Sequence, residues 1–274
     1  MQTIKPDLFR FIFYGNGYSK LMYRTRFQKD IVAEFLPPKR KTKTQRLILL
    51  CDGMPSIPKK QGLVEFLSAK GYWVIYPRYR GAWESDGEFL KHSPHLDIKE
   101  IIDEVLDLKT IRENSFYKSF EVMPDEIFVI GGSFGGATAL LSSLDSRVKK
   151  VIANCPVVDW KILKEEQAAE TANPNYVSYL KETFGNAYRL PEKNWKKLYE
   201  GEFFNPAFHI KELNPLKIRM FHAVDDPYVP ATVVKDFADR TKIRLKLLKK
   251  GGHLSTDLIV RKYWDEIHRF FLSH

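Results

Sequence analysis

The sequence predicts an α/β protein: a mostly parallel, twisted sheet with helices on both faces and one helical insertion. Three observations predict it. Apolar runs of strand length alternate with longer runs at helical spacing. Glycine, proline or Asp-Gly stands at most of the junctions. The rhythm fails once, between Asp159 and Pro215, and then resumes. Alternating strands and helices pair the strands in parallel, because each crossover helix packs back on the sheet.

Residues 1–36 hold short aromatic runs broken by the turn signal YGNGYS and read as antiparallel strands. RLILLCDG (46–53) is a continuous apolar run, as suits a strand buried on both faces. GLVEFLSAKG (62–71) is a short amphipathic helix closed by glycine. YWVIYPRYRG (72–81) is a strand, and LDIKEIIDEVLDLKTIREN (96–114) reads as one long amphipathic helix. EIFVIGG (126–132), FGGATALLSSL (134–144) and VKKVIANCPV (148–157) are strand, helix and strand. After the insertion come strand 218–226, helix 231–241, strand 243–250 and helix 258–271.

A chain of 274 residues, 44% hydrophobic and 28% charged, has an ordinary globular balance. We expect a single domain over 1–274, with 159–215 inserted as a cap. No apolar stretch has the length of a membrane span, and the N-terminal residues lack the apolar core of a signal peptide. No membrane association is expected, and the expected location is cytoplasmic. Cys51 and Cys155 end apolar runs and read as reduced core thiols. No metal-ligand spacing involves them. The net charge is +10, with basic clusters at 38–46 and 242–250. The first reads as a solvated hairpin. The second alternates basic and apolar residues, as a half-exposed strand does. No nucleic-acid partner is therefore expected.

In an open parallel sheet, ligands bind beyond the C-terminal strand ends. Ser133 stands there, in Gly131-x-Ser133-x-Gly135 between a strand and a helix. A sharp strand-to-helix turn strains the serine backbone and lifts its hydroxyl over the sheet edge, so its neighbours must be small. The N–H of Phe134, at the start of the helix, then points at any oxyanion. The same glycines lack the Lys-Ser/Thr ending of a phosphate loop and the spacing of a dinucleotide fingerprint. The loop after the first buried strand, CDGMPSIP, supplies Met54 N–H as a second oxyanion donor, with Gly53 allowing close approach.

A serine hydroxyl needs a base, and the base needs an acid to orient it. Of the seven histidines, only His253 follows a strand within a glycine turn and lies after Ser133 in the chain. The acid falls at the preceding strand end, where FHAVDDPYVP offers both Asp225 and Asp226. One of them would hold His253 and the other would cap the turn.

These stretches resemble an α/β-hydrolase of the prolyl-oligopeptidase and dienelactone-hydrolase branch. The resemblance rests on CDGMPS, AKGYWVIYPRYRGAWESDGEF, GGSFGG, HAVDDPYVP and GGHLS, which span about residues 46–256. It implies a catalytic triad of Ser133, His253 and Asp226, since the branch's strand-end pattern places its acid at Asp226. Arg80 and Gly81 match a structural Arg-Gly turn. The branch carries His-Gly at the oxyanion turn, where this chain has Asp52-Gly53.

The implied activity is that of a serine hydrolase acting on a small-molecule ester or a short peptide, with no metal or organic cofactor needed. Residues 1–45 are too few for the substrate-filtering propeller of the family's oligopeptidases. A peptidase acting on free amino termini needs an acidic anchor, and Glu165 and Glu166 are the candidates. The aromatic insertion suits an apolar or aromatic acyl or alcohol group, with Tyr176, Tyr179 and Phe184 as pocket candidates. A carboxylic-ester hydrolase is therefore expected ahead of a peptidase. A non-catalytic protein on a hydrolase fold is the third possibility.

Overall fold

A computed structural model describes residues 22–40, 42–114, 118–165 and 175–273. Its central sheet has eight strands: β1 (Tyr23–Phe27), β2 (Ile31–Leu36), β4 (Trp73–Pro77), β3 (Arg46–Cys51), β7 (Glu126–Gly132), β8 (Val148–Asn154), β9 (Ile218–Ala223) and β10 (Arg244–Leu248), in that spatial order. β1 and β2 form an antiparallel hairpin, and β2 is antiparallel to β4. From β4 to β10 every pairing is parallel. A small antiparallel ribbon, β5 (Thr110–Arg112) with β6 (Ser119–Glu121), stands apart.

The period of two along a strand divides the core into two layers. On β3, Leu47, Leu49 and Cys51 belong to one layer and Ile48 and Leu50 to the other. β7 repeats this with Ile127 and Val129 against Phe128 and Ile130. The first layer is covered by α2 (Pro94–Leu108), α3 (Phe134–Ser142) and α7 (Ala231–Thr241), and the second by α1 (Gln61–Ala69), α8 (Thr256–Lys262) and α9 (Trp264–Leu272). Every residue of α3 is buried, which explains its low polarity. This is the α/β-hydrolase architecture the sequence predicts.

Three elements depart from expectation. The long helix stops at Leu108, where Lys109 turns left-handed at φ 51° and the chain enters β5. Val105 and Leu108 keep the helical period, but the β-branched pair Thr110-Ile111 is better served by the ribbon. The last predicted helix is two, broken at Tyr263, whose backbone at φ −110°, ψ 23° leaves the helical well. The basic stretch 38–46 is no hairpin, since the strands it joins, β2 and β3, are separated by β4. The YGNGYS turn lies outside the described residues.

The segment after β8 contains α4 (Trp160–Glu165), α5 (Tyr176–Phe184) and α6 (Glu192–Lys196), followed by short 3-10 turns. Its aromatics are largely spent on packing. Tyr176 stacks on Trp195 at 4.8 Å between centroids, and Phe204 lies 4.7 Å from Phe134. Trp160 Nε1 donates to the Phe204 carbonyl at 2.8 Å. Farther on, Tyr188 Oη accepts from Ser56 N at 2.9 Å and donates to Ser56 O at 3.1 Å. Arg189 donates to carbonyls of Trp83 and Gly87. The segment is thus tied both to α3 and to the loop after β4. Arg80 in that loop is an internal strut, paired with Asp30, Asp97 and Glu100, each at 2.6 Å.

One close approach controls how α3 meets the sheet. A Cβ at Gly135 would land on the carbonyl oxygens of Cys51 and Asp52, and one at Gly131 on the carbonyl of Gly135. Backbone cannot give way as a side chain can. Gly135→Ala should therefore destabilise the fold by at least about 2 kcal/mol, at the upper end of overpacking costs. Urea unfolding checks this, and a midpoint equal to wild type would contradict the packing described.

Candidate active site

Because the strands from β4 to β10 run parallel, the loops after β3, β7, β8, β9 and β10 gather at one edge. Those loops carry Asp52 to Ser56, Ser133, Cys155, Asp225 with Asp226, and His253. A cavity of about 430 Å³ lies there and is lined by residues that include Ser133, His253, Met54 and Phe134.

Ser133 occupies the turn between β7 and α3 with φ 58° and ψ −122°. A non-glycine residue pays about 1–3 kcal/mol for such a backbone. Four hydrogen bonds hold it there. Its N–H donates to Asn154 O at 2.9 Å, and its carbonyl accepts from Gly136 at 2.9 Å, Val157 at 3.2 Å and Ala137 at 3.3 Å. Phe134 is the first residue of α3, a position whose N–H has no intrahelical acceptor. Gly132 is small for a further reason: a Cβ there would collide with Oγ1 of Thr256, which also lines the cavity.

Of the two adjacent acids, Asp226 is the one that meets the base. His253 Nδ1 donates to Asp226 Oδ2 at 2.8 Å, and the Asp226 side chain is fully buried. Asp226 Oδ1 accepts from the backbone of Tyr228 at 2.9 Å and of Val229 at 3.0 Å. Burial raises the Asp226 pKa, but the His253 bond and the two N–H groups outweigh it and hold the carboxyl below its ordinary value. Asp225 instead accepts from Gly252 N at 2.9 Å, which pins the histidine loop from outside. One aspartate orients the imidazole and the other caps its turn.

Two buried groups back the acid. His222 Nε2 donates to Val229 O at 3.0 Å and closes the acid loop onto β9. Burial, the largest of several influences, lowers its pKa. Cys155, Asp226 and His253 offer metal-ligating atoms within 4.8 Å of one another. Burial pushes the Cys155 thiol pKa up, and Asp226 and His253 spend their facing atoms on each other. The set reads as a hydrogen-bonded Asp–His pair beside a thiol rather than as a metal centre.

Around this core the cavity wall is mostly apolar, with Val157, Trp160, Leu163, Tyr176, Tyr179 and Val229. Tyr176 and Tyr179 thus stand where expected. Phe184 does not line it and packs edge-on against Tyr188 at 5.7 Å. Five residues along a helix rotate a side chain by about 140°, which turns Phe184 away from the face of Tyr179. The Glu165 side chain and Glu166 lie outside the described residues. Tyr228, edge-on to His253 at 5.4 Å, went unrecognised in the sequence although it is two residues from the acid.

Asp52 and Lys60 also line the cavity. Asp52 Oδ1 accepts from Gly53 N and pairs with Lys60 Nζ, both at 3.0 Å, and Oδ2 accepts from Tyr76 Oη. The side chain that departs from the family pattern is therefore turned into a local network, and Gly53 N–H is consumed by it. Met54 N–H is left as the donor candidate of this turn.

The prolyl oligopeptidase family matches residues 60–253, well over half of the chain. No curated protein sequence gives a match. Among solved structures, the Pyrococcus horikoshii acylaminoacyl peptidase is similar at TM-score 0.64 and 17% identity, over 95% of this chain and 43% of that one. The Pyrococcus furiosus esterase is similar at TM-score 0.61 and 18% identity, over 93% of this chain and 90% of that one. Thermogutta terrifontis esterase 2, phosphonylated by sarin, is similar at 0.59 and 17%, over 94% and 95%. This chain spans about two fifths of the acylaminoacyl peptidases and nearly the whole of the esterases. No helix among the described residues is long and apolar enough to cross a membrane.

The Nδ1 proton of His253, held against a buried carboxylate, should resonate far downfield in proton NMR. Asp226→Asn should remove that signal, because the amide can no longer accept in the same way. Asp225→Asn should leave it in place. A signal that disappears in the second variant and survives in the first would reassign the orienting acid.

Proposed function

Since the chain belongs to the prolyl oligopeptidase family, we propose that it is a serine hydrolase that cleaves carboxylic esters by an acyl-enzyme route. The observation that carries the reading is the 2.8 Å bond from His253 Nδ1 to the buried Asp226, on the same cavity as a strained, outward Ser133. With Nδ1–H committed to Asp226, the neutral imidazole has its other nitrogen free as a base. His253 takes the Ser133 proton as Oγ attacks the ester carbonyl. The negative charge that develops on the carbonyl oxygen is met by the N–H groups of Phe134 and Met54. The imidazolium then returns the proton to the leaving alcohol, and water repeats the sequence on the acyl-serine.

The cavity supports an ester with an apolar or aromatic group. Its wall is mainly aliphatic and aromatic, and its one aspartate, Asp52, is already matched by Lys60, Tyr76 and Gly53. A free amino terminus would find no vacant carboxylate among the described lining residues. A peptidase is the second reading, favoured by the family and by the likeness to acylaminoacyl peptidases. An acylated amino terminus carries no charge, so it would need no such anchor. A panel of p-nitrophenyl esters, N-acetyl-aminoacyl anilides and free aminoacyl anilides separates the three cases. The ester reading expects the highest kcat/KM on the esters.

Ser133→Ala should abolish both turnover and labelling by a fluorophosphonate probe while leaving the thermal unfolding curve in place. Near-wild-type turnover would refute the mechanism. Asp226→Asn should lose about 10⁴-fold in kcat, as when an imidazole is held in the wrong tautomer. Asp225→Asn should lose far less.

We propose further that the segment 159–215 acts as a cap that sets substrate choice. An aromatic that buries ~100 Å² of a ligand contributes roughly 2.5 kcal/mol before ordering costs. Tyr176→Ala and Tyr179→Ala should therefore shift the kcat/KM ratio between aromatic and acetyl esters, with fluorophosphonate labelling by a small probe barely changed. An unchanged ratio in both would leave the segment as a structural cover only.

A further inference from the structure

The basic stretch 242–250 has no part in the site described above. It forms β10 at the edge of the sheet, and its pairing brings cations together. Arg244 is the register partner of Arg219 on β9. Paired residues point to the same face, and so does Lys246, two residues on. Ile152 pairs with Arg219, so Lys150 on β8 shares that face. Lys150, Arg219 and Arg244 sit in the first half of their strands and Lys246 at the middle of β10, before the C-terminal strand ends that lead to Ser133 and His253. Three adjacent strands thus present cations to one side, where α9 covers the sheet and adds Arg269.

The charges are poorly matched. Glu266 on α9 takes Arg219 Nη1 at 3.0 Å on one oxygen and Lys246 Nζ on the other. No ion pair among the described residues uses Arg244 or Arg269. Lys150 Nζ spends one proton on the Leu216 carbonyl at 3.0 Å and lies 5.2 Å from the Phe270 ring. The Arg219 guanidinium stacks on the other part of that environment, 4.8 Å from the same ring, and its Nε is buried without a hydrogen-bond acceptor. Among the described residues, Glu266 is the one carboxylate that pairs within this group of five cations, and it meets two of them, while the Phe270 ring lies near Lys150 and Arg219. Burial lowers the Arg219 pKa and the neighbouring Arg244 lowers it further; burial and the neighbours Lys149 and Arg219 do the same to Lys150. Such crowding destabilises the protein unless an anion offsets it.

The site is concave. A cavity of about 460 Å³ is lined by Arg219, Arg244, Lys246 and Arg269, with Glu266, Phe270 and Ser273. That lies within the ~300–1,000 Å³ range of small-molecule sites. A phosphate group offers three acceptor oxygens and up to two negative charges, so it can meet several of these cations at once, where a carboxylate offers two oxygens and one charge. We propose that this cavity binds a phosphate-bearing small anion, at a site separate from the hydrolytic one. The cations are gathered in one short patch on three strands and a helix, which suits a small anion rather than an extended nucleic-acid strand.

The test is calorimetric titration of the full chain with pyrophosphate and with ADP, with ionic strength held constant by potassium chloride. Saturable binding of either probe is expected, and the tighter of the two identifies an inorganic or a nucleotide source. Arg244→Gln and Arg269→Gln, both at exposed positions, should each weaken it by at least about tenfold, the effect of losing one charge-assisted contact. Lys193→Gln, an exposed lysine elsewhere, should not. Melting temperatures of the variants equal to wild type show that the fold is intact. The proposal is overturned if neither probe binds saturably, or if both arginine variants bind as wild type does. It is likewise overturned if a single-stranded oligonucleotide binds through these arginines and the small probes do not.

Discussion

The arrangement depends first on how closely the N-terminal turn of α3 lies against the end of β3. Gly135 meets the Cys51 and Asp52 carbonyls, and Gly131 meets the Gly135 carbonyl, with no room for a side chain at either. That approach forces Ser133 into its left-handed backbone, and the Asn154 and Val157 bonds tie the same turn to β8. One residue therefore joins three strand ends. Phe134, next in the chain, turns its ring down into the aromatic cluster with Tyr79, Phe89, Trp160 and Phe204. The inserted segment is thereby seated on the helix that carries the serine.

The strained turn persists because its surroundings over-determine it. Backbone hydrogen bonds of ordinary net worth, about 1 kcal/mol each, offset a cost of about 1–3 kcal/mol. The acid is held by the same logic. Two backbone N–H groups and an imidazole converge on the Asp226 carboxylate, and Asp225 fixes the loop that delivers the imidazole. His222 then anchors Val229 to β9, so the acid loop cannot swing away from the base. Asp225, Asp226 and His253 each meet a defined partner at this edge.

The opposite half of the β8–β10 faces is built differently. There Arg219, Arg244, Lys246 and Arg269 line one pocket with Glu266, which among the described residues pairs with Arg219 and Lys246. At the edge that carries Ser133, Asp52 is paired with Lys60.

Much of this was legible in the sequence because it depends on short-range rules. The apolar runs and glycine junctions determine parallel strands and crossover helices. Parallel strands put Ser133, Asp226 and His253 at one edge, and Gly131 and Gly135 mark the turn that only small residues permit. Helix ends were less legible, since Thr110-Ile111 leave the helix only when β6 is present to pair with them. Which of Asp225 and Asp226 faces His253 followed from likeness to a family, and adjacent aspartates carry no local signal of direction. The side-chain fates were set by the tertiary structure alone. Phe184 turns to Tyr188, Asp52 closes on Lys60 and Tyr76, and Arg219 comes to lie beside Arg244. Each of these depends on a contact between residues distant in the chain or on strand register, and a linear pattern records neither.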